Sequence, residues 1–289
     1  MMRLLVATDG SADARTAAQW LAEFPLSADV SALVLAAVEL PPSALDIPPI
    51  AEFKRSLLED ARHAANDLVP LLKDRVATVE TRAVAGDPRT EIVRVAEEWN
   101  ADLIVMGARG LGAIATALLG SVSLAVARHA PCAVLVVRPN PRPLRSVAVG
   151  IDGSENACEA ARFLARFPLP ASVGVRLVGV VDPPPMPRTA PVSARPMLQE
   201  AIAGVVGERR RALDAALESA AKSFDTAVRE LPLGSPAEIL ERLSTEVGLI
   251  VLGARGLGAL KRLLLGSVSE RLLRHAACPV LIVHRRRTG

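Results

Sequence analysis

The stretch Gly107-Ala-Arg-Gly110-Leu-Gly-Ala-Ile-Ala-Thr-Ala-Leu-Leu-Gly120-Ser121-Val122-Ser123 decides how this chain is read. It returns as Gly253-Ala-Arg-Gly256-Leu-Gly-Ala-Leu-Lys-Arg-Leu-Leu-Leu-Gly266-Ser267-Val268-Ser269. Each copy follows a short apolar run, Leu103-Ile-Val-Met106 and Leu249-Ile-Val-Leu252. Such runs predict buried strands of a parallel sheet. Each copy leads into a helical pattern, with Val122, Ala125 and Val126 on one face and Val268 and Leu272 on the equivalent face. The unit is therefore strand, Gly-rich loop, then Gly-Ser at a helix start. Glycines permit positive φ and close backbone approach to a ligand. Backbone amides at the helix start, with the Ser hydroxyls, suit phosphate oxygens.

The spacing Gly-x2-Gly-x9-Gly-Ser resembles the nucleotide-binding signature of the universal stress protein family. The resemblance covers nearly the whole chain, since both halves carry it. The pattern is not a phosphate loop of the Gly-Lys-Ser/Thr kind, because no such triplet follows the glycines. It is not a dinucleotide fingerprint either: the third Gly lies too far along, and the loop follows a late strand.

Working outward, the repeat extends to both ends of each half. Leu4-Leu-Val-Ala-Thr-Asp-Gly-Ser11 returns as Val147-Ala-Val-Gly-Ile-Asp-Gly-Ser154. Arg128-His-Ala-Pro-Cys-Ala-Val-Leu-Val-Val-Arg138 returns as Arg274-His-Ala-Ala-Cys-Pro-Val-Leu-Ile-Val-His284. Between the halves, Arg138-Pro-Asn-Pro-Arg-Pro143 reads as a stiff, extended linker. Two domains are expected, 1–140 and 143–289. Strands are expected at 3–8, 30–38, 76–84, 102–106 and 133–137, the third at a sheet edge because polar residues alternate in it. A helix follows Ser11, a second runs from about 50 to 73, and a third opens at Asp87-Pro88 as a cap followed by Pro. The second half repeats the order, with a strand at 173–181, a longer Pro-rich loop after Pro183, and a helix at 198–222. Strict strand–helix alternation predicts a mainly parallel sheet covered on both faces. Ligands of such sheets bind beyond the strand ends where strand order reverses. The resemblance, not the pattern, implies the strand order 3-2-1-4-5 and a Rossmann-like, adenine-nucleotide alpha hydrolase-like fold in each half.

Composition narrows the classes. At 289 residues, two domains are the prior, and 51% apolar residues suffice for two cores. With 2% aromatics and no Tyr, those cores are expected to be aliphatic and base-stacking platforms are missing. A net charge of +3, spread over the chain, argues against nucleic acid. Cys132, Cys158 and Cys278 lack metal spacing, and their odd number fits a reducing compartment. The first residues are too short an apolar run for a signal peptide, and no run approaches the roughly 18 residues of a spanning helix. A cytoplasmic protein without a membrane partner is expected.

Asp9 and Asp152 end the first strand of each half, followed by Gly10-Ser11 and Gly153-Ser154. They suit ribose hydroxyls or Mg2+ beside phosphates, or serve as helix caps; the Gly-rich loop beside them favours the ligand. Gly107, Gly110, Gly120 and Ser121, with Gly253, Gly256, Gly266 and Ser267, carry the phosphate expectation, alongside Met106, Val122, Leu252 and Val268 flanking them. Ser123 and Ser269 are weaker candidates, or exposed helix hydroxyls. Arg109 and Arg255 are equally suited to bidentate phosphate contact or to a solvated loop. The resemblance implies that Ala37 or Val38, and Val180 or Val181, pack on adenine; Val38 and Val181 are the chosen pair. Many relatives carry a His just before that corner, where this chain has Ala36 and Gly179. His129 and His275 suit the last turn of a helix. Cys132 and Cys278 read as small apolar fillers, and His284–Arg287 as a solvated end.

The resemblance thus implies a tandem universal stress protein that holds ATP, with Mg2+ as companion, at two sites per chain and acts as a nucleotide-dependent sensor. The apolar fifth strands, 133–137 and 280–283, lie near sheet edges, so the halves are expected to pack on each other; the resemblance adds a homodimer through these strands, and a protein partner of unknown kind is expected. No catalytic triad order, general base or metal-ligand cluster is evident, so hydrolysis is expected to be slow at most. A slow ATPase, a cyclic-AMP or AMP receptor, and a non-binding structural paralogue are the rival readings.

Overall fold

The computed structural model describes residues 1–26, 29–39, 48–112, 119–187, 189, 191–257 and 264–285. In the first half, apolar runs form β1 (Met2–Thr8), β2 (Val30–Val38), β4 (Leu103–Gly107) and β5 (Ala133–Val137), with β4 and β5 buried at every position. The polar-alternating β3 (Thr78–Ala85) lies at the sheet edge. Helices α1 (Ala12–Leu21), α2 (Pro48–Asn66), α3 (Val69–Leu72), α4 (Pro88–Glu98) and α5 (Ser121–His129) connect them. The second half repeats the plan with β6 (Ser146–Gly150), α6 (Glu155–Arg166), β7 (Gly174–Val178), α7 (Arg195–Ala221), β8 (Val228–Glu230), α8 (Pro236–Leu243), β9 (Leu249–Gly253), α9 (Ser267–His275) and β10 (Val280–Val283).

Among the described residues the strands form one sheet, ordered β3-β2-β1-β4-β5-β10-β9-β6-β7-β8. Each half has the order 3-2-1-4-5 that the resemblance implied. Successive side chains point to opposite faces. Leu4, Val6, Leu103 and Val105 meet α1, while Leu5, Ile104 and Val134 meet α4 and α5. Both cores run through the two halves.

The halves join where β5 and β10 pair antiparallel, Leu135 opposite Leu281. The halves thus pack on each other as expected, but the fifth strands, expected as a homodimer seam, pair within one chain instead. Apolar edges did seek a partner, but each found the other within one chain, which leaves neither edge free for a second copy. The aliphatic-core expectation also needs amendment at this junction. Trp20, Phe24, Phe163 and Phe167 cluster there, and the Phe24 and Phe167 rings cross it edge-on at 5.1 Å.

Several element boundaries differ from the sequence reading, and three of the differences bear on the layout. The helix expected over 50–73 breaks after Asn66, because the ring of Pro70 clashes with the carbonyl four residues back. The strand expected at 173–181 is complete only to Val178, with one further bridge from Val181 to Leu233. Pro232 has no N–H to continue that ladder. The edge strand β3 starts at Thr78 rather than Val76. Among the described residues no helix is long and apolar enough to cross a membrane.

Candidate functional site

Strand order reverses between β1 and β2 on one side and β4 on the other, and the chain leaves both β1 and β4 there. After β1, Gly10 turns with φ +82, a conformation that favours glycine. Ser11 then caps α1, its Oγ accepting from the Ala14 amide at 3.2 Å. Asp9 is therefore not the cap. Its Oδ1 accepts from the Ser11 amide at 3.0 Å and its Oδ2 from the Leu111 amide at 2.7 Å, tying the β4 loop to the end of β1.

The motif glycines serve close approach rather than positive φ. A Cβ on Gly107 would lie 2.6 Å from the Asp13 carbonyl carbon, and one on Gly110 would collide with Asp9 Oδ2. Gly120 has an ordinary φ of −72 and donates its amide to the Ala108 carbonyl at 2.8 Å. It stands at the N-cap of α5 without a side chain to cap it. The first-turn amides of Ser121, Val122 and Ser123 have no carbonyl one turn back within the helix. They carry the positive end of the helix dipole.

Ser123 is not an exposed helix hydroxyl: it is 3% exposed and its Oγ donates to the Gly107 carbonyl at 2.9 Å, locking helix to loop at the cleft wall. Arg109 lines the cleft with its guanidinium paired. Its Nε lies 3.0 Å from Asp13 Oδ2, and the Asp13 carboxylate raises its already high pKa.

These parts enclose a cleft of about 380 Å3, within the range of small-ligand sites. One end is apolar, formed by Ala37, Ile92 and Met106; the other is the α5 N-terminus with Gly120, Ser121 and Val122. Ala37 and not Val38 forms the wall, because alternation turns Val38 onto the opposite core. Pro88 and Ile92 of α4 were missed by sequence reasoning; the cap at Asp87 gave the helix start, but nothing local says which face meets a ligand.

The second half repeats the geometry. Asp152 accepts from the Ser154 and Leu257 amides, each at 2.9 Å. Gly153 has φ +86. Ser269 Oγ donates to the Gly253 carbonyl at 2.8 Å. Gly266 caps α9 without a side chain and donates to the Ala254 carbonyl at 2.7 Å. A Cβ on Gly256 would collide with Asp152 Oδ2, and one on Gly253 would lie 2.6 Å from the Asn156 carbonyl carbon. Leu252, next to last in β9, is 5% exposed, as is Met106 at the same place in β4. Val180 packs on the cleft-side core, whereas Val181 is buried at the bridge to Leu233. Loop residues 113–118 and 258–263, and the first Pro-rich loop at 40–47, lie outside the described residues.

Among the described residues no group of three metal-ligating side chains occurs. His129 and His275 stand in the last turns of α5 and α9. Cys132 and Cys278 are buried, and burial pushes the Cys278 thiol up to about 12. The tail differs from a solvated end at His284, whose Nε2 lies 2.9 Å from the Ala127 carbonyl of α5; 286 and 287 lie outside the described residues.

A family model described as the universal stress protein family matches residues 1–138 and again 143–284. A universal stress protein of Mycobacterium tuberculosis is 30% identical over 302 residues, covering 98% of this chain and 97% of its own length. A second from that species is 28% identical over 312 residues, covering 96% and 94%. A crystal structure of a universal stress protein from Archaeoglobus fulgidus is similar in fold, with a TM-score of 0.65 at 21% identity, covering 99% of this chain and 97% of that one.

Proposed function

The chain belongs to the universal stress protein family, with two family units in tandem, and on that premise we propose that each unit binds one adenine nucleotide and that the chain works as a nucleotide-dependent switch. The observation that carries this reading is the uncapped start of α5, repeated at α9, facing the cleft at the reversal of strand order. An anion satisfies first-turn amides that the sequence leaves uncapped. The apolar end at Ala37, Ile92 and Met106 suits a purine. ATP is the favoured ligand, because loop and helix start together offer amides for more than one phosphate.

The residues fit the nucleotide better than they fit a resident metal. Asp9 is the one carboxylate among the cleft-lining residues, and each of its oxygens already accepts an amide. Mg2+ would come with the triphosphate, held by phosphate oxygens and water. The same commitment leaves Asp9 poorly placed as a general base. Turnover well below the enzyme median of about 10 s⁻¹ is the expected behaviour. A bound nucleotide would shift the chain between states only through contacts that differ between them. The odd count of three cysteines agrees with a cytoplasmic setting.

Calorimetric titration with ATP tests the reading. Gly120 has an ordinary φ that valine can adopt, so Gly120→Val adds bulk at the helix start, its Cβ 3.2 Å from the Ala108 carbonyl oxygen. It should remove one of two binding equivalents; Gly266→Val should remove the other, and the double variant should bind nothing. Undiminished affinity in the double variant, with the fold intact by circular dichroism, would show that the repeated motif is not the binding site.

A further inference from the structure

The two sites share the Asp-Gly-Ser turn and the motif glycines and serines; beside uncharged exchanges such as Thr8 to Ile151 and Ala37 to Val180, they differ at one charged corner. In the first half, Asp13 of α1 holds the Arg109 guanidinium, Nε to Oδ2 at 3.0 Å and Nη2 to Oδ1 at 3.5 Å. The equivalent of Asp13 is Asn156, and among the described residues no hydrogen bond or ion pair engages the Arg255 side chain. A second exchange accompanies the first. Buried Arg138, which follows β5 and donates to the Leu273 carbonyl, has His284 as its counterpart, bonded to the Ala127 carbonyl. One corner therefore holds two guanidiniums and a carboxylate. The other holds one guanidinium, an amide and an imidazole whose burial favours the neutral form. The two exchanges cancel in net charge and differ in which group carries it. The nearby acid of the second half, Glu155, does not replace Asp13, because it pairs with Arg285.

We infer that the two halves read phosphate charge differently, with Arg255 as a phosphate-reaching arginine and Arg109 as a loop strut held by Asp13. This rests on the nucleotide reading above. For Arg109 to reach a phosphate it must abandon Asp13, whose side chain is only 12% exposed, and a buried carboxylate left unpaired is costly. Asp13 would also repel the incoming anion. Arg255 has neither obstacle. The second site therefore prefers the more highly phosphorylated ligand, and the first discriminates less.

The test uses the full chain with one site blocked at a time, Gly120→Val leaving the second site and Gly266→Val the first. ATP and adenosine are titrated into each. The preference for ATP over adenosine should be about tenfold greater at the second site, the scale of one charged hydrogen bond. Adding Asn156→Asp to the second-site chain should lower ATP affinity about tenfold and leave adenosine affinity unchanged. Asp13→Asn should raise ATP affinity at the first site. Should a valine variant fail to fold, the two binding steps of the otherwise wild-type chain give the same comparison, with Asn156→Asp marking the second-half step. Equal preferences at the two sites, or an Asn156→Asp change that weakens ATP and adenosine alike, would overturn the inference while leaving nucleotide binding intact. Absence of both ligands from both sites would instead overturn the nucleotide reading, and this one with it.

Discussion

Gly107 shows how a single position can be fixed by what lies behind it. Its missing side chain lets the end of β4 press against the first turn of α1, where a Cβ would stand 2.6 Å from the Asp13 carbonyl carbon and 2.8 Å from the Ala14 nitrogen. Both are backbone atoms, so neither can swing away. Gly107→Ala should destabilise the chain by about 1–3 kcal/mol through overpacking. Gly112→Ala, two residues after Gly110, meets nothing within 4 Å and should stay within about 0.5 kcal/mol of wild type. Urea denaturation of the two variants checks this; equal midpoints would mean that the motif glycines are not set by close packing. Residue types and spacing were legible in the sequence here, but their reasons were not. Nothing local says that Ser123 is buried against Gly107, or that Asp9 ties two loops together rather than capping a helix. Those roles depend on contacts that only the folded chain makes, 16 residues apart for Ser123 and 102 apart for Asp9.

At the scale of elements, the strand–helix alternation was legible because apolar runs and caps are local signals. Strand order was not; it came from resemblance, since hydrogen-bond partners across a parallel sheet leave no trace in spacing. The junction was half legible: apolar β5 and β10 announced pairing edges, but not that they would pair with each other. His284 at that junction gives a pH prediction. Burial, chiefly, pulls its imidazole below the ordinary value of 6.5, with the charge of Arg255 acting the same way and the Ala127 carbonyl opposing. The unfolded chain therefore binds the proton more readily. Stability from this group is fully present above pH 6.5 and is lost as pH falls through the folded value. Glu270 is held below its ordinary value of 4.5 by hydrogen bonds from Arg128 and, more weakly, Arg274, so its own contribution is lost only at lower pH. Urea stability should fall on acidification between about pH 7 and 5, and His284→Gln should flatten that slope. An unchanged slope in the variant would remove His284 from the account.

For the whole molecule, antiparallel pairing of β5 with β10 sets the parallel strands of the two halves running in opposite directions. The cleft beyond one set of strand ends and the motif beyond the other thus face opposite ways. That arrangement makes two independent occupancies geometrically straightforward. It also explains why the halves can differ at Asp13 and Asn156 without disturbing a shared ligand. The direct test of the central claim is native mass spectrometry of the full chain after incubation with ATP. Two mass increments of an adenine nucleotide per chain, one lost in Gly120→Val and the other in Gly266→Val, are the predicted result. A wild-type chain that appears only at its bare mass of about 30.4 kDa, with ATP in excess, would contradict the account.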